Sequence, residues 1–200
     1  MEVCAVIIEP TCGRKMTHRV CPWWLGYWLI CPVRRFWHSP HELLAPYVQA
    51  GMTALEPGPG MGYFTLELAR LVGPSGRVIA ADVQPKMVDR LQRRAAKAGL
   101  LGRLEARVAP AESMGIPDLQ GSVDFTLAFA VVHEFPDAGR FFAEVATASK
   151  AGASVLLAEP SGHVKADAFD SELQAAASTG LSLVDRPSIR RSQTALLKKG

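Results

Sequence analysis

Residues 54–71, with the sequence ALEPGPGMGYFTLELARL, combine an acid with three glycines at alternate positions, Gly58, Gly60 and Gly62. The acid, Glu56, ends an apolar run, and a helical pattern follows the glycines. Glycine accepts positive φ and lets a ligand approach the backbone closely. The first turn of the following helix has unpaired N–H groups. An acid, a glycine turn and a helix in this order predict a site for a nucleotide-like ligand.

A second acid, Asp82, ends the next predicted strand, 20 residues after Gly62. From this position in a parallel sheet, a carboxylate can accept hydrogen bonds from both hydroxyls of a ribose. The glycine spacing is G-x-G-x-G, whereas dinucleotide sites usually have G-x-G-x-x-G. Glu56 would also face an anionic pyrophosphate badly and a cationic ligand well. A dinucleotide-dependent oxidoreductase is therefore the weaker interpretation.

Two histidines are candidate general bases. AFAVVHEFPD places His133 and Glu134 just after the fourth predicted strand, and LLAEPSGHV places Glu159 and His163 after the fifth. An imidazole with its ordinary pKa of about 6.5 can accept a proton at neutral pH. A histidine here could instead bond to the backbone or pack against a bound cofactor, and Glu134 could cap the next helix. Both interpretations of His133 and His163 stay open.

The elements that must position these residues alternate along the chain. Strands are predicted at 52–56, 76–83, 103–109, 122–130, 153–159, 181–186 and 192–199, and helices at 63–72, 86–99, 138–150 and 167–178. This alternation predicts an α/β fold with a mostly parallel sheet covered by helices on both faces. The last two strands are joined too closely for a helix, so an antiparallel hairpin at one edge is expected.

Three motifs in this order resemble those of class I S-adenosylmethionine-dependent methyltransferases. LEPGPGMG resembles the glycine motif, VIAADVQPKMV the second motif, and SVDFTLAFAVVHEFPD the fourth-strand motif. The resemblance runs from about Gly51 to the C-terminus, about three quarters of the chain. It implies a Rossmann-like seven-stranded fold and S-adenosyl-L-methionine as cofactor. It also implies in-line transfer of a methyl group to a small organic acceptor, apolar in one interpretation.

The same resemblance implies the cofactor-binding residues. Glu56 is expected near the amino end of the cofactor, and Asp82 on the ribose hydroxyls. Pro110 stands where the family often has an acidic or Asn residue, so the adenine contact is expected from Ala111 or Glu112. The complete implied set is Glu56, Gly58, Pro59, Gly60, Gly62, Asp82, Val83, Met87, Ala111, Glu112 and Phe129. No metal is expected.

The composition changes near Pro40. Residues 1–40, rich in Trp, Cys, Arg and His, predict an N-terminal helical cap, and 41–200 the methyltransferase domain. Residues 1–15 show no clear pattern and would be disordered, or outside the native protein if Met16 is the true start. The tryptophans of residues 23–28 are expected to pack on the sheet edge or to form a substrate wall with a peripheral membrane contact. Ser39 and Pro40 predict a helix start.

Composition limits the remaining classes. Two hundred residues with 48% apolar and 20% charged side chains favour one globular domain. A net charge of +3 does not argue for nucleic acid. No apolar run reaches the roughly 18 residues of a membrane span, and no signal-peptide pattern is present, so a cytoplasmic location is predicted.

The cysteines leave an alternative function open. Cys4, Cys12, Cys21 and Cys31 have spacings that match no zinc motif, so free thiols are expected. Thiol-assisted methylation of arsenite or another soft acceptor is an alternative, as is a non-catalytic S-adenosylmethionine-binding protein.

Overall fold

The computed structural model describes residues 39–200. The Trp-rich segment, the four cysteines and nearly all of the expected N-terminal cap lie outside these residues. The helices are α1 (Pro40–Leu44), α2 (Thr65–Leu71), α3 (Pro85–Lys97), α4 (Ala138–Ala148) and α5 (Ala166–Ser178). The strands are β1 (Thr53–Pro57), β2 (Arg77–Asp82), β3 (Leu104–Val108), β4 (Val123–Phe129), β5 (Ser149–Pro160), β6 (Leu181–Asp185) and β7 (Ser192–Lys199).

The seven strands form one sheet in the order β3-β2-β1-β4-β5-β7-β6. The first five are parallel, and β7 is antiparallel to both β5 and β6. The predicted mostly parallel sheet with a C-terminal hairpin is therefore confirmed. The last strand, β7, lies between β5 and β6, so β6 is the edge strand. Accordingly, Ala195 and Leu197 of β7 are buried, whereas β6 is exposed after Leu181.

Helices cover both faces of the sheet, as predicted. On one face, Leu44 of α1 and Leu68 of α2 share a hydrophobic cluster with Phe125 of β4. On the other, Phe141 of α4 and Phe169 of α5 belong to a second cluster with strand residues of β4 and β5. Burying these apolar faces from water is the main stabilising term of such a fold.

Local signals set several helix ends. The Ser39 side chain accepts a hydrogen bond from the Glu42 amide at 3.5 Å, and Pro40 occupies the first turn of α1, as expected. Helix α3 buries Met87 and Leu91, and Gly99 follows it with φ 69°. Glycine is favoured there because the left-handed conformation costs other residues energy.

Four predicted boundaries are wrong by two residues or more, among them the end of α3, which is Lys97 and not residue 99. The helix expected to reach residue 150 ends at Ala148, and β5 starts at Ser149. Ser149 pairs with Val123, and the next pairing joins Ser154 to Phe125, so residues 150–153 form a bulge and not a simple turn. The second helix begins at Thr65, two residues after the predicted start. Within residues 39–200, no helix is long and apolar enough to cross a membrane.

Candidate active site

The three loop glycines all have positive φ, at 63° for Gly58, 54° for Gly60 and 81° for Gly62. They follow β1, and the Gly58 amide donates a 2.9 Å hydrogen bond to the Ala81 carbonyl of β2. Pro59 is buried between them, and its carbonyl accepts a 3.0 Å bond from the Gly62 amide. The chain thus turns tightly at the carboxyl ends of two neighbouring parallel strands.

The three glycines face different surroundings. A Cβ at Gly58 would lie 2.6 Å from Val131 Cγ2, and a Cβ at Gly62 would overlap Leu91 Cδ1. A Cβ at Gly60 would meet no protein atom within 4 Å. Two glycines are therefore required by packing against the protein, whereas Gly60 presents backbone to open space.

Asp82 connects the glycine loop to β2. Its Oδ1 accepts a 2.8 Å hydrogen bond from the Gln84 amide, and its carboxylate also accepts one from the Gly60 amide. Burial raises the pKa of Asp82, and these two hydrogen bonds oppose that rise. Val83 is half-buried beside it, and Met87 is buried in the first turn of α3. Glu56 is buried near the end of β1, where it pairs with Ala80 of β2.

The two residues expected to contact the adenine, Ala111 and Glu112, lie at the surface after β3. The Ala109 amide donates a 2.9 Å hydrogen bond to the Asp82 carbonyl, so the end of β3 adjoins Asp82. Ala111 and Glu112 are both exposed beyond it, and Glu112 Oε2 lies 3.9 Å from Arg140 Nη1. This is a loose surface pair with little energetic weight.

A strained turn follows β4. Ala130 has φ 54°, an uncommon value for a residue with a side chain, and its amide donates to the Ala158 carbonyl at 2.7 Å. The next two amides, of Val131 and Val132, donate to Glu159 Oε1 at 3.1 and 2.8 Å. The buried carboxylate of β5 thereby fixes this turn beside the glycine loop, which Val131 contacts at Gly58.

Glu159 also holds His133. Its Oε2 bonds to His133 Nδ1, and the Glu159 side chain is 0% exposed whereas that of His133 is 28% exposed. Because a carboxylate only accepts, Nδ1 carries the hydrogen, and in the neutral imidazole Nε2 is the proton acceptor. The hydrogen bond from Glu159 raises the pKa of His133 above its usual 6.5, against the opposing effect of burial.

The second candidate histidine lies next to the first. The His163 ring is exposed, and it stacks on His133 with 6.4 Å between ring centroids and 7° between planes. Phe129, at the end of β4, packs on Phe64 with centroids 4.6 Å apart. The residues predicted from separate motifs therefore gather around the ends of β1, β2, β4 and β5.

The sequence matches a known family. Residues 55–157, more than half of the chain, match the methyltransferase domain family. The chain belongs to the class I S-adenosylmethionine-dependent methyltransferases. Its cofactor is S-adenosylmethionine.

Curated relatives carry two different activities. Over 128 residues the chain is 30% identical to the ubiquinone/menaquinone biosynthesis C-methyltransferase UbiE of Marinomonas sp.. This aligned region covers 64% of this chain and 49% of that protein. Over 47 residues it is 47% identical to a protein-L-isoaspartate O-methyltransferase of Triticum aestivum. This shorter alignment covers 24% of this chain and 20% of that protein. The methyltransferase thus spans about half, or less, of these relatives.

Solved structures share the fold. A SAM-dependent methyltransferase from Aquifex aeolicus aligns with a TM-score of 0.77 at 21% identity, over 90% of this chain and 98% of that one. The [4+2]-cyclase SpnF aligns with a TM-score of 0.63 at 19% identity, over 74% and 59%. At these identities the likeness concerns the fold alone.

Two residues beside the glycine loop make contacts, and one buried acid of α5 has a position, that the sequence motifs did not point to. Arg94 of α3 donates to the Met61 carbonyl in the glycine loop, and Leu91 fills the space beside Gly62. Glu172 of α5 is buried. Glu172 had a detectable signal, because an acid between Phe169 and Ala176 lies on the apolar face of an amphipathic helix. Arg94 had none, because its partner is 33 residues away.

Proposed function

We propose that this enzyme methylates a small organic acceptor that loses a proton during the reaction, and that His133 accepts the proton. The observation that carries the proposal is the bond between the buried Glu159 carboxylate and His133 Nδ1, at the turn that contacts Gly58. We assign this activity to a domain of residues 41–200.

The cofactor site we propose is the set expected from the motifs. It comprises Glu56, Gly58, Pro59, Gly60, Gly62, Asp82, Val83, Met87, Ala111, Glu112 and Phe129. Two features support it: the backbone at Gly60 borders open space, and the Asp82 carboxylate keeps acceptor capacity beyond its two backbone hydrogen bonds. Ribose hydroxyls suit such a carboxylate. When bound, the cofactor supplies a methyl group on a cationic sulfur, so an acceptor that reacts at a C–H or O–H group must give up a proton to form a neutral product.

His133 has the features of a general base. A fixed tautomer leaves Nε2 to accept a proton, and a neighbouring carboxylate stabilises the imidazolium that results. We propose that His163, stacked on the other ring, shields that proton from solvent. Because the pKa of His133 is raised, its neutral, proton-accepting form becomes the major form only at a higher pH than in a free histidine. We therefore expect the rate of methyl transfer to increase with pH through a midpoint above 6.5.

The acceptor class follows from the need for a base. The curated relatives are named as carbon and oxygen methyltransferases, and acidic carbon or oxygen nucleophiles require removal of a proton. Phe129, half-buried at the end of β4 and packed on the buried Phe64, supplies apolar surface there. We propose an acceptor with an acidic C–H or O–H group next to an apolar body, such as a phenol or an enolisable carbonyl compound.

Cofactor binding is tested first. Calorimetric titration with S-adenosylmethionine, S-adenosylhomocysteine and NAD is expected to give binding of the two sulfur compounds only, and Asp82→Ala should remove it. The matched control is Asp89→Ala, an exposed acid of α3 that pairs with Arg93 at 3.0 Å. Equal binding by Asp82→Ala and Asp89→Ala would contradict the proposed site.

The base is tested by S-adenosylhomocysteine release with a panel of phenols, 1,3-dicarbonyl compounds, thiols and amines. For an acceptor found this way, His133→Gln should lower the rate by about 100-fold or more. His41→Gln, an exposed histidine bonded to Glu67, is the control. Full activity of His133→Gln, or activity restricted to amines that need no base, would refute the proposal.

A further inference from the structure

We propose that Arg94 is a positioning residue that holds the glycine loop in the shape that binds the cofactor. The inference rests on the proposed cofactor site around Gly60 and Asp82. It concerns a residue of α3 that lies beyond the end of the second sequence motif and belongs to none of the predicted site residues.

Arg94 bonds to the middle of the glycine loop. Its guanidinium donates a hydrogen bond to the carbonyl of Met61, the residue between Gly60 and Gly62. Met61 is only 3% exposed and Arg94 is half-buried, so water has little access to this carbonyl. A buried carbonyl without a donor is costly. Removing the guanidinium therefore favours loop conformations that turn the Met61 carbonyl toward water.

Other contacts restrain the loop on both sides of this carbonyl. Before it, the Gly60 amide donates a hydrogen bond to the Asp82 carboxylate. After it, Leu91 fills the space beside Gly62. Leu91 and Arg94 lie three residues apart on α3 and therefore on the same side of the helix. The Arg94 bond is thus the middle one of three contacts that join the loop to β2 and α3.

The direction of the Met61 carbonyl affects the surface at Gly60. This carbonyl and the Gly62 amide belong to one planar peptide group, so they can only rotate together. Such a rotation would break the 3.0 Å hydrogen bond from the Gly62 amide to the Pro59 carbonyl, which closes the turn around Gly60. Glycine at position 62 offers little resistance, because it accepts a wide range of φ. The bond from Arg94 opposes the rotation.

Calorimetric titration of the full-length protein with S-adenosylhomocysteine tests this role. Arg94→Met removes the donor and should raise the dissociation constant by about tenfold, at unchanged stoichiometry. Arg94→Lys keeps a cationic donor on a flexible side chain and should recover most of the affinity. Arg93→Met is the matched control, because Arg93 is exposed and bonds to Asp89 at 3.0 Å. It should bind as the wild type does.

A second measurement needs no ligand. Hydrogen exchange of the Gly62 amide, followed by nuclear magnetic resonance, should be faster in Arg94→Met than in Arg93→Met, because the bond to the Pro59 carbonyl opens more often. If Arg94→Met does not fold, Arg94→Gln, whose shorter side chain carries no charge, should give the same changes.

Equal affinities of Arg94→Met and Arg93→Met would overturn the inference. So would a lower stoichiometry with an unchanged dissociation constant, because that result indicates a loss of folded protein and not a change in the loop. Asp82→Ala is titrated in parallel to separate the two proposals. Weak binding by Asp82→Ala together with wild-type affinity of Arg94→Met would refute the role of Arg94 alone. Wild-type affinity of both variants would refute the proposed cofactor site as well.

Discussion

Replacing Gly60 and Gly62 in turn by alanine should separate ligand binding from folding within a single loop. A Cβ at Gly60 would meet open space, whereas a Cβ at Gly62 would overlap Leu91 Cδ1 in the core. If the open space is where the cofactor lies, Gly60→Ala removes binding and leaves the fold nearly intact. Gly62→Ala damages the fold instead.

The magnitudes follow from the backbone and the packing. At φ 54°, alanine at Gly60 costs about 1 to 2 kcal/mol for the left-handed conformation alone. Gly62 has φ 81° and bears a similar cost, to which displacement of buried Leu91 adds about 1 to 3 kcal/mol for overpacking. We therefore expect Gly62→Ala to be the less stable variant by about 1 to 3 kcal/mol.

Urea unfolding and calorimetric titration with S-adenosylhomocysteine measure the two quantities on the same samples. Gly60→Ala should lose only the about 1 to 2 kcal/mol of its backbone conformation and bind at least about tenfold more weakly, a loss of about 1.4 kcal/mol of binding free energy. Gly99→Ala is the control for a positive φ elsewhere, since a Cβ there also meets open space. Wild-type affinity of Gly60→Ala would refute the assignment of this surface to the cofactor.

Three further changes probe the turn and its carboxylates. Glu159→Gln would direct an amide N–H toward His133 Nδ1 and move the imidazole hydrogen to Nε2, so the release of S-adenosylhomocysteine should slow by about 100-fold to 10,000-fold; an unchanged rate would exclude the orienting role. Ala130→Gly relieves the left-handed strain at φ 54° and should raise the free energy of unfolding in urea by up to about 1 kcal/mol; a marked loss of stability would show that no strain is stored there. In the folded protein Glu172 keeps its proton up to about pH 7, against about 4.5 when unfolded, so its stabilising contribution is complete below pH 4.5 and is lost as pH rises to about 7. The stability advantage of Glu172→Gln should therefore grow across that range, and a difference independent of pH would contradict the raised pKa.

The parts of the molecule that could be predicted from sequence are those with local signals. The strand and helix alternation, the short C-terminal connection and the Ser39–Pro40 helix start each depend on a few adjacent residues, and the structure confirms them. The glycines and Asp82 were placed together because consecutive parallel strands end at one edge. Their predicted contacts with the cofactor stay predictions.

What could not be predicted depends on pairing across the sheet. The bulge at residues 150–153 exists because Ser149 pairs with Val123, and Asp124 opposite the bulge bonds to Lys150 Nζ at 2.6 Å. No local pattern encodes that register, so the predicted helix ran too far. The same holds for the contact between His133 and Glu159, which are 26 residues apart in the sequence and are joined only by the β4–β5 register.

The position of Glu159 explains why the proposed base, His133, and the glycine loop belong to one unit. One carboxylate oxygen fixes the two amides of the turn, and the other fixes the imidazole of His133. This turn contacts Gly58 through Val131 Cγ2. At Gly58, no side chain larger than hydrogen fits unless Val131 moves. A change that displaces the glycine loop must therefore move the turn or open a gap beside it. Because this turn and His133 share one carboxylate, a shift of the proposed ligand surface is expected to be felt at the proposed proton acceptor.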